Sequence, residues 1–181
     1  MTTKILKPAE FQTAPWKNGG GITHEIAKAE DAQGLIWRLS IAEVASDGPF
    51  SAFVGLSRIL TVIEGSGLVL DTPDGPLVAE LLKPLAFSGD LPVTSRMVDG
   101  PIRDFNVIYD AARVRAKVAV LRGPQMQDFA GEPLAVLALG GRVLIDGKRV
   151  APGEVGLVDA GQRGMNIASD VAVLVVQLTP Y

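Results

Sequence analysis

Cysteine is absent from the 181 residues, and histidine occurs only once, at His24. The lack of cysteine excludes disulfides, thiol nucleophiles and thiolate metal sites. A single histidine excludes a metal centre built on several imidazoles within one subunit, and a Ser-His-Asp arrangement would have to use His24. On strand spacing this side chain shares a face with Ile22 and Ile26, which favours a packed, hydrogen-bonded histidine over a catalytic one.

The chain also lacks an excess of positive charge and lacks long apolar runs. The formal net charge is -3 and no basic stripe stands out, which argues against a nucleic-acid partner. The apolar runs are far below the length that crosses a membrane, and the N-terminus has no apolar signal region. We therefore expect a cytoplasmic protein that binds neither nucleic acid nor a membrane.

Helical periodicity is almost missing as well. The 20 glycines and 12 prolines separate short apolar runs, most of which alternate as strands do. In residues 37–44, the clearest case, Arg38 and Ser40 lie on the face opposite Trp37. Further strands are predicted at 58–64, 68–70, 77–82, 93–98, 104–109, 115–121, 134–139, 142–145, 155–158 and 171–178. Strands this short and dense predict an all-β sandwich or barrel.

An internal repeat divides the chain. Residues 65–71 align with 140–146, apolar position for apolar position, and residues 61–63 align with 136–138 upstream. Two copies of one β unit are the simplest explanation. The predicted halves are residues 1–110 and 111–181, with early strands allowed to cross between them.

Three consecutive glycines follow Trp16, Lys17 and Asn18. Glycine permits positive φ angles and a close approach of the backbone to another group. Lys17 and Asn18 could therefore frame an anion-binding nest of backbone amides. The alternative is a tight crossing where two strands pack, with Trp16 as a packing lid.

The repeated pattern of strand, Glu-Gly-x-Gly, strand, Asp and turn resembles the cupin double-stranded β-helix. The resemblance implies a bicupin, which consists of two fused cupin-like barrels. The candidate ligand pocket then lies in the first barrel. In the cupin register the metal-binding glutamate falls at Arg58, the two leading histidines fall near Ser51 and Phe53, and the last falls near Gly89. None of these ligands is present. The resemblance thus implies a metal-free, cofactor-free barrel with an arginine at the metal position.

At a finer level the chain resembles the HutD/Ves family. The resemblance rests on motifs at residues 15–26, 37–42, 48–58, 87–90 and 104–107. It implies an accessory or regulatory protein of bacterial histidine utilisation rather than a pathway enzyme. The implied ligand is a small anionic metabolite of histidine degradation, with N-formylglutamate as the candidate, and cupins often pair, so a homodimer is an expectation.

Arg58 is the central candidate because it shares a strand face with Leu60, Val62 and Glu64. An inward arginine in a small barrel needs a partner. That partner is either Glu64 or Asp104, in a structural ion pair, or the carboxylate of a ligand held by the guanidinium fork. The predicted ligand-binding set combines cations with hydrogen-bonding side chains and comprises Lys17, Asn18, Thr23, Arg38, Ser40, Arg58 and Asn106.

Catalysis has weaker support. Glu25, Glu64 and Asp104 could act as general acids or bases, but each is equally suited to pair with an arginine. We therefore assign no catalytic residue and favour a binding protein over an enzyme. Two alternatives stay open: a cofactor-independent isomerase or hydrolase acting on a small carboxylic acid, and a regulator whose glycine loop docks on another protein.

Overall fold

The computed structural model describes residues 3–129, 134–161, 163–168 and 171–181. Within these ranges the regular structure is β-strand, apart from one 3₁₀ turn at Pro8–Glu10, which confirms the all-β prediction. No helix in the described part of the chain is long and apolar enough to cross a membrane.

The chain forms two compact units. The first unit is Gln12–Val114, and the second combines Met1–Phe11 with Arg115–Tyr181. The predicted division lies near residue 110, with early strands allowed to cross between the halves. The strand Thr3–Leu6 crosses in this way, because it pairs along Val155–Val158 of the second unit.

The first unit contains ten strands in its described residues. They are β2 (Gln12–Pro15), β3 (Gly21–Asp31), β4 (Gly34–Val44), β5 (Gly48–Pro49), β6 (Ser57–Glu64), β7 (Leu68–Asp71), β8 (Leu77–Ala79), β9 (Leu85–Ser88), β10 (Thr94–Met97) and β11 (Ile102–Tyr109). They form two sheets, in the orders β2-β3-β4-β11-β6-β9 and β5-β10-β7-β8.

The second unit has nine strands among its described residues. They are β1 (Thr3–Leu6), β12 (Val114–Arg122), β13 (Gln125–Phe129), β14 (Leu134–Ala138), β15 (Val143–Ile145), β16 (Lys148–Val150), β17 (Val155–Val158), β18 (Arg163–Ile167) and β19 (Ala172–Pro180). Its sheets have the orders β1-β17-β14-β19-β12 and β13-β18-β15-β16.

The two units share one strand order. The run β4-β11-β6-β9 in the first corresponds to β12-β19-β14-β17 in the second, and β5-β10-β7-β8 corresponds to β13-β18-β15-β16. Each strand of the two runs in the first unit is matched by the one eight places later, whereas β1, β2 and β3 have no counterpart among the described strands, so the repeat extends well beyond the aligned hairpins. The finer assignment as two fused cupin barrels stays a prediction.

The core of the first unit occupies only part of the space between its sheets. Leu60 and Val62 of β6 pack against Leu68 and Leu70 of β7, and all four side chains are fully buried. Toward the other end of β6 the inward position is taken by Arg58. The interior therefore changes from apolar to polar along one strand, and this change locates the candidate site.

Candidate functional site

Polar side chains form rows across three neighbouring strands of the larger sheet. Ser40 of β4 lies opposite Asn106 of β11, while Ile108 of β11 lies between Arg38 of β4 and Arg58 of β6. Because side chains two apart share a face of a strand, these residues point to the same side. The alternation seen in the sequence thus builds one polar wall inside the unit.

This wall encloses a cavity of about 60 Å³. A volume of this size holds a few water molecules or one small polar group such as a carboxylate. Its polar lining comprises Thr23, Arg38, Ser40, Ser51, Arg58, Asp104 and Asn106. Its apolar lining comprises Trp16, Ala42, Phe50, Phe53 and Ile108.

A wider depression of about 490 Å³ adjoins the cavity. Both are lined by Trp16, Thr23, Arg38, Phe50 and Ser51, so the depression lies at the mouth of the cavity. Its further lining residues come from the glycine loop and its surroundings and are Ala14, Pro15, Lys17, Asn18 and Pro49.

All seven side chains of the predicted ligand-binding set meet at these two spaces. Ser40, Arg58 and Asn106 line the cavity, Thr23 and Arg38 line both spaces, and Lys17 and Asn18 line the depression. Residues separated by up to 89 positions are therefore brought together. That they bind a ligand stays a prediction.

Arg58 is buried, with 6% of its surface exposed. Its guanidinium carbon lies 5.0 to 5.4 Å from the ring centres of Phe50, Phe53 and Phe87, so three aromatic faces surround the cation. One terminal nitrogen donates to Asn106 Oδ1 at 2.9 Å, the other donates to the Ser51 carbonyl oxygen at 3.4 Å, and the Nε atom has no hydrogen-bond partner. Burial lowers the pKa of Arg58 to about 10, which leaves it cationic at neutral pH.

Neither of the two carboxylates predicted as a partner of Arg58 contacts it directly. Glu64 pairs with Arg103 at 3.3 Å, so it is not the partner. Asp104 lines the same cavity as Arg58, but the two groups are linked through Asn106, whose amide nitrogen donates to Asp104 Oδ1. Neither expected ion pair forms, and the guanidinium keeps hydrogen-bonding capacity toward the cavity.

Asp104 is fully buried, and its Oδ2 atom has no hydrogen-bond partner. Burial raises the pKa of this carboxyl to about 7, against opposing effects of the Arg58 charge and the Asn106 hydrogen bond. A mixture of neutral and ionised carboxyl therefore exists near neutral pH. From the sequence, Asp104 was predicted only as an arginine partner or an acid-base group.

The raised pKa of Asp104 predicts a stability loss as pH rises. In the unfolded chain this carboxyl ionises near its ordinary pKa of 3.8, whereas in the folded chain it ionises near 7. The folded state binds the extra proton between these values, so its advantage is lost as pH rises through about 7. Wild type should therefore lose about 2.5 kcal/mol of unfolding free energy relative to Asp104→Asn when the pH is raised from about 5 to about 8.

Urea unfolding at both pH values measures this loss, because the midpoint shift at constant slope reports the free energy. Asp71→Asn is the control, since Asp71 is an exposed aspartate that pairs with Arg96. A wild-type-to-variant difference that is the same at both pH values would contradict the prediction.

Arg38 is already paired. Its Nε atom donates to Glu25 Oε2 at 2.7 Å, and both side chains are about four-fifths buried. Glu25 is therefore committed to holding Arg38 at the mouth of the cavity, which agrees with the pairing alternative for this carboxylate. Only the third candidate carboxylate, Asp104, has an unpaired oxygen in the cavity.

The glycine loop positions the mouth of the cavity through Trp16. The indole Nε1 atom donates to Thr23 Oγ1 at 2.8 Å, and the ring makes an edge contact with Phe50 at 5.7 Å. A Cβ atom at Gly21 would lie 2.4 Å from the Glu43 carbonyl oxygen and 3.1 Å from the Trp16 ring. The third glycine is thus required by close strand packing, while Asn18 caps the loop by accepting from the Gly20 amide.

His24 has the structural role predicted for it. Its Nδ1 atom lies 2.9 Å from Thr13 Oγ1, and its Nε2 atom lies 3.2 Å from Glu43 Oε1. It does not line the cavity. In the described part of the chain, no three His, Cys, Asp or Glu side chains are grouped so that they could hold a metal ion.

The phenylalanines around Arg58 were not predicted as site residues. Phe53 and Ser51 were noted only as positions where cupins carry histidines, and both line the cavity. Phe87 reaches Arg58 because β9 pairs with β6 in a register that sets these two residues opposite each other. The cupin register was the one signal in the sequence that could have identified the segment at residues 50–53.

The fold and the polar cavity together define a cupin-like β protein. Bacterial pirin YhhW from Escherichia coli has this fold: it superposes with a TM-score of 0.74 over 99% of this chain and all of that one, at 10% identity. A family model described as HutD matches residues 8–167. The chain belongs to the HutD family.

Three proteins are similar in sequence to this chain, one over its whole length and two over about three fifths of it. HutD from Pseudomonas fluorescens SBW25, solved in a formate condition, is 33% identical, covers 99% of this chain and all of that one, and has a TM-score of 0.89. A 21.2 kDa protein from the hutC 3′ region of Pseudomonas putida is 42% identical over 64% of this chain and 62% of its own length. Protein Ves of Escherichia fergusonii is 35% identical over 58% of this chain and 56% of its own length. The matches to the Pseudomonas putida protein and to Ves therefore each span about three fifths of the relative.

Proposed function

We propose that this protein binds a small anionic metabolite of histidine degradation, with N-formylglutamate as the candidate, and thereby modulates histidine utilisation. The observation that carries the proposal is the buried guanidinium of Arg58, which lines an open cavity and has an Nε atom without a partner. A buried cation with an unpartnered donor is an incomplete arrangement, and a carboxylate completes it.

The balance of charge in the cavity supports an anion. Arg38 is neutralised by Glu25, whereas Arg58 has only a carboxyl group that is partly protonated near neutral pH. A surplus of positive charge therefore remains within the cavity. Away from bulk water this surplus attracts an anion more strongly than a surface arginine would.

The two adjoining spaces support a ligand with two polar ends. The inner cavity suits one carboxylate or formamide group beside Arg58, Asn106 and Ser40. The outer depression presents Lys17 and Asn18 to the part of the ligand that extends out of the inner cavity. An acylated dicarboxylate has this distribution of groups.

Family membership supports the biological setting. The HutD relative was solved in a formate condition, and the Pseudomonas putida relative is described by its place beside hutC. Formate is the simplest carboxylate, and a hut-associated protein that binds a pathway intermediate is suited to adjusting the pathway rather than to carrying it out.

Calorimetric titration with N-formylglutamate, urocanate and histidine tests the proposal. We expect N-formylglutamate to bind with a millimolar or tighter dissociation constant and to bind better than the other two compounds. Histidine carries an ammonium group, which the Arg58 charge disfavours. Absence of binding by all three compounds at millimolar concentration would refute the proposed function.

A cofactor-independent isomerase or hydrolase acting on a small carboxylic acid is the second candidate. The observation that favours it is the Asp104 carboxyl, whose pKa of about 7 suits a general acid or base. Chelator-treated protein would then turn over the compound that binds, and Asp104→Asn would lose turnover while retaining binding. Recovery of the ligand unchanged after prolonged incubation with the enzyme decides against this candidate.

A further inference from the structure

The buried carboxyl group of Asp104 has an unused oxygen in the cavity wall. Oδ1 accepts a hydrogen bond from Asn106, while Oδ2 has no partner, and none of the residue's surface is exposed. An ionised carboxylate in such a place loses hydration without replacement. The neutral acid instead has an O–H group that can donate to a molecule in the cavity.

Asn106 keeps Arg58 from holding Asp104 in its ionised form by direct contact. The Asn106 oxygen accepts from Arg58, so its amide nitrogen is the atom available to Asp104. The orientation of the amide is set by these two different neighbours. Arg58 therefore stabilises the ionised carboxyl only across the amide, and of its donors the Nε atom has no protein partner.

Few other charges face this group. Arg58 of β6 and Arg38 of β4 line the cavity with Asp104, and Glu25 of β3 is bonded to Arg38. The segment at residues 50–53 carries no charged side chain, although the Ser51 carbonyl oxygen accepts from Arg58, and the ring of Phe87 from β9 packs on Arg58. A bound anion would pair with the two arginines, so they would stabilise the ionised carboxyl of Asp104 less. The negative charge of the anion would also repel that carboxylate.

We propose that anion binding in this cavity is coupled to the uptake of one proton by Asp104, and that the neutral carboxyl then donates from Oδ2 to an oxygen of the ligand. The inference rests on the proposed function. The proton comes from solvent and converts the carboxylate to the acid, and no bond of the ligand is made or broken. Asp104 thereby selects ligands that present an acceptor, such as a carboxylate or formyl oxygen, over ligands that present an amine.

The coupling has a defined direction with pH. Because the pKa of Asp104 is about 7 in the empty cavity and an anion raises it further, binding takes up a proton only where the empty site is ionised. Uptake is near zero at about pH 6 and approaches one proton at about pH 8. Affinity falls by up to about tenfold for each pH unit above about 7.

Titration calorimetry in two buffers measures this uptake. Formate and N-formylglutamate are titrated into the protein at about pH 6 in MES and in bis-Tris, and at about pH 8 in HEPES and in Tris, so that the two buffers at each pH differ in ionisation heat. The observed heat is expected to depend on the buffer at the higher pH and to be independent of it at the lower pH, because transferred protons carry the buffer's heat.

Variants assign the proton. Asp104→Asn keeps a donor but cannot titrate, so it is expected to bind both anions with buffer-independent heat and with the same affinity at both pH values. Asp104→Leu removes the donor and is expected to weaken binding about tenfold. Asp71→Asn, an exposed aspartate paired with Arg96, is the matched control and should keep the wild-type uptake.

The outcomes separate this inference from the proposed function. Anion binding by wild type with buffer-independent heat at both pH values overturns the inference and leaves the proposed function standing. Proton uptake that persists in Asp104→Asn assigns the proton to another group and also overturns it. Failure of both anions to bind overturns the two together. The wild-type heats decide the coupling even if a variant fails to fold.

Discussion

Replacing Arg58 with methionine is expected to weaken N-formylglutamate binding by about 100-fold or more. Arg58 is the buried cation of the cavity, and a hydrogen bond from a charged donor contributes about 3 kcal/mol, equivalent to about two powers of ten. Methionine fills the volume of the arginine stem among Phe50, Phe53 and Phe87 without supplying a donor. Titration calorimetry on the folded variant measures the loss.

Two further variants make the result specific. Arg58→Lys keeps the charge but loses the planar fork, so we expect a loss of about tenfold rather than 100-fold. Arg96→Met removes an exposed arginine that pairs with Asp71 and should leave affinity unchanged. If Arg58→Met binds within about twofold of wild type, while its thermal unfolding shows an intact fold, the assignment of the pocket fails.

Replacing Gly21 with alanine is expected to cost about 3 kcal/mol of unfolding free energy. A Cβ atom there would lie 2.4 Å from the backbone oxygen of Glu43, and a backbone atom in a paired strand cannot move aside as a flexible side chain can. The same atom would press on Trp16, whose amide donates to the Gly21 carbonyl. Urea unfolding measures the loss, and the fluorescence of Trp16 reports the displaced ring.

Gly20→Ala is the matched control because it makes the same chemical change one residue earlier. The nearest atoms to a Cβ at Gly20 are Ser46 Oγ at 3.2 Å and Asn18 Oδ1 at 3.3 Å, and both belong to side-chain ends that can shift. We expect a cost below about 1 kcal/mol. Equal losses at the two positions would contradict the assignment of the cost to the close approach of Gly21 to the Glu43 carbonyl oxygen.

Strands with an apolar or alternating run were predictable whether long or short, and the short predicted strands at 68–70 and 155–158 are present in the structure. Strands without such a run were missed. Residues 37–44 and 58–64 alternate over enough positions for the period of two to be recognised, and the structure has strands there, at Gly34–Val44 and Ser57–Glu64. The strand Gln12–Pro15 is exposed at all four residues, so it has no apolar face to signal it. Gly48–Pro49 has only two residues, and its pairing with β10 is supplied by tertiary context.

The partner of Arg58 could not be chosen from strand spacing. Spacing set Arg58 and Glu64 on one face of β6 and left Glu64 and Asp104 as equal candidates. A β-bulge between Arg103 and Asp104 sets Arg103 opposite Glu64 and Asp104 opposite Val62. A bulge shifts the register by one residue, which strand alternation does not reveal.

The amino-acid sequence by itself determined the chemistry that this protein excludes, its all-β class and its family. Absence of cysteine, a single histidine and dense alternating strands are properties that neighbouring residues display without any fold. The tertiary structure decided that the face of Arg38, Ser40 and Arg58 encloses a cavity, and that Asn106 stands between Arg58 and Asp104. The physical reason is that periodicity assigns a side chain to a face of its strand, whereas burial, and with it charge and pKa, depends on which faces are brought together by distant pairing.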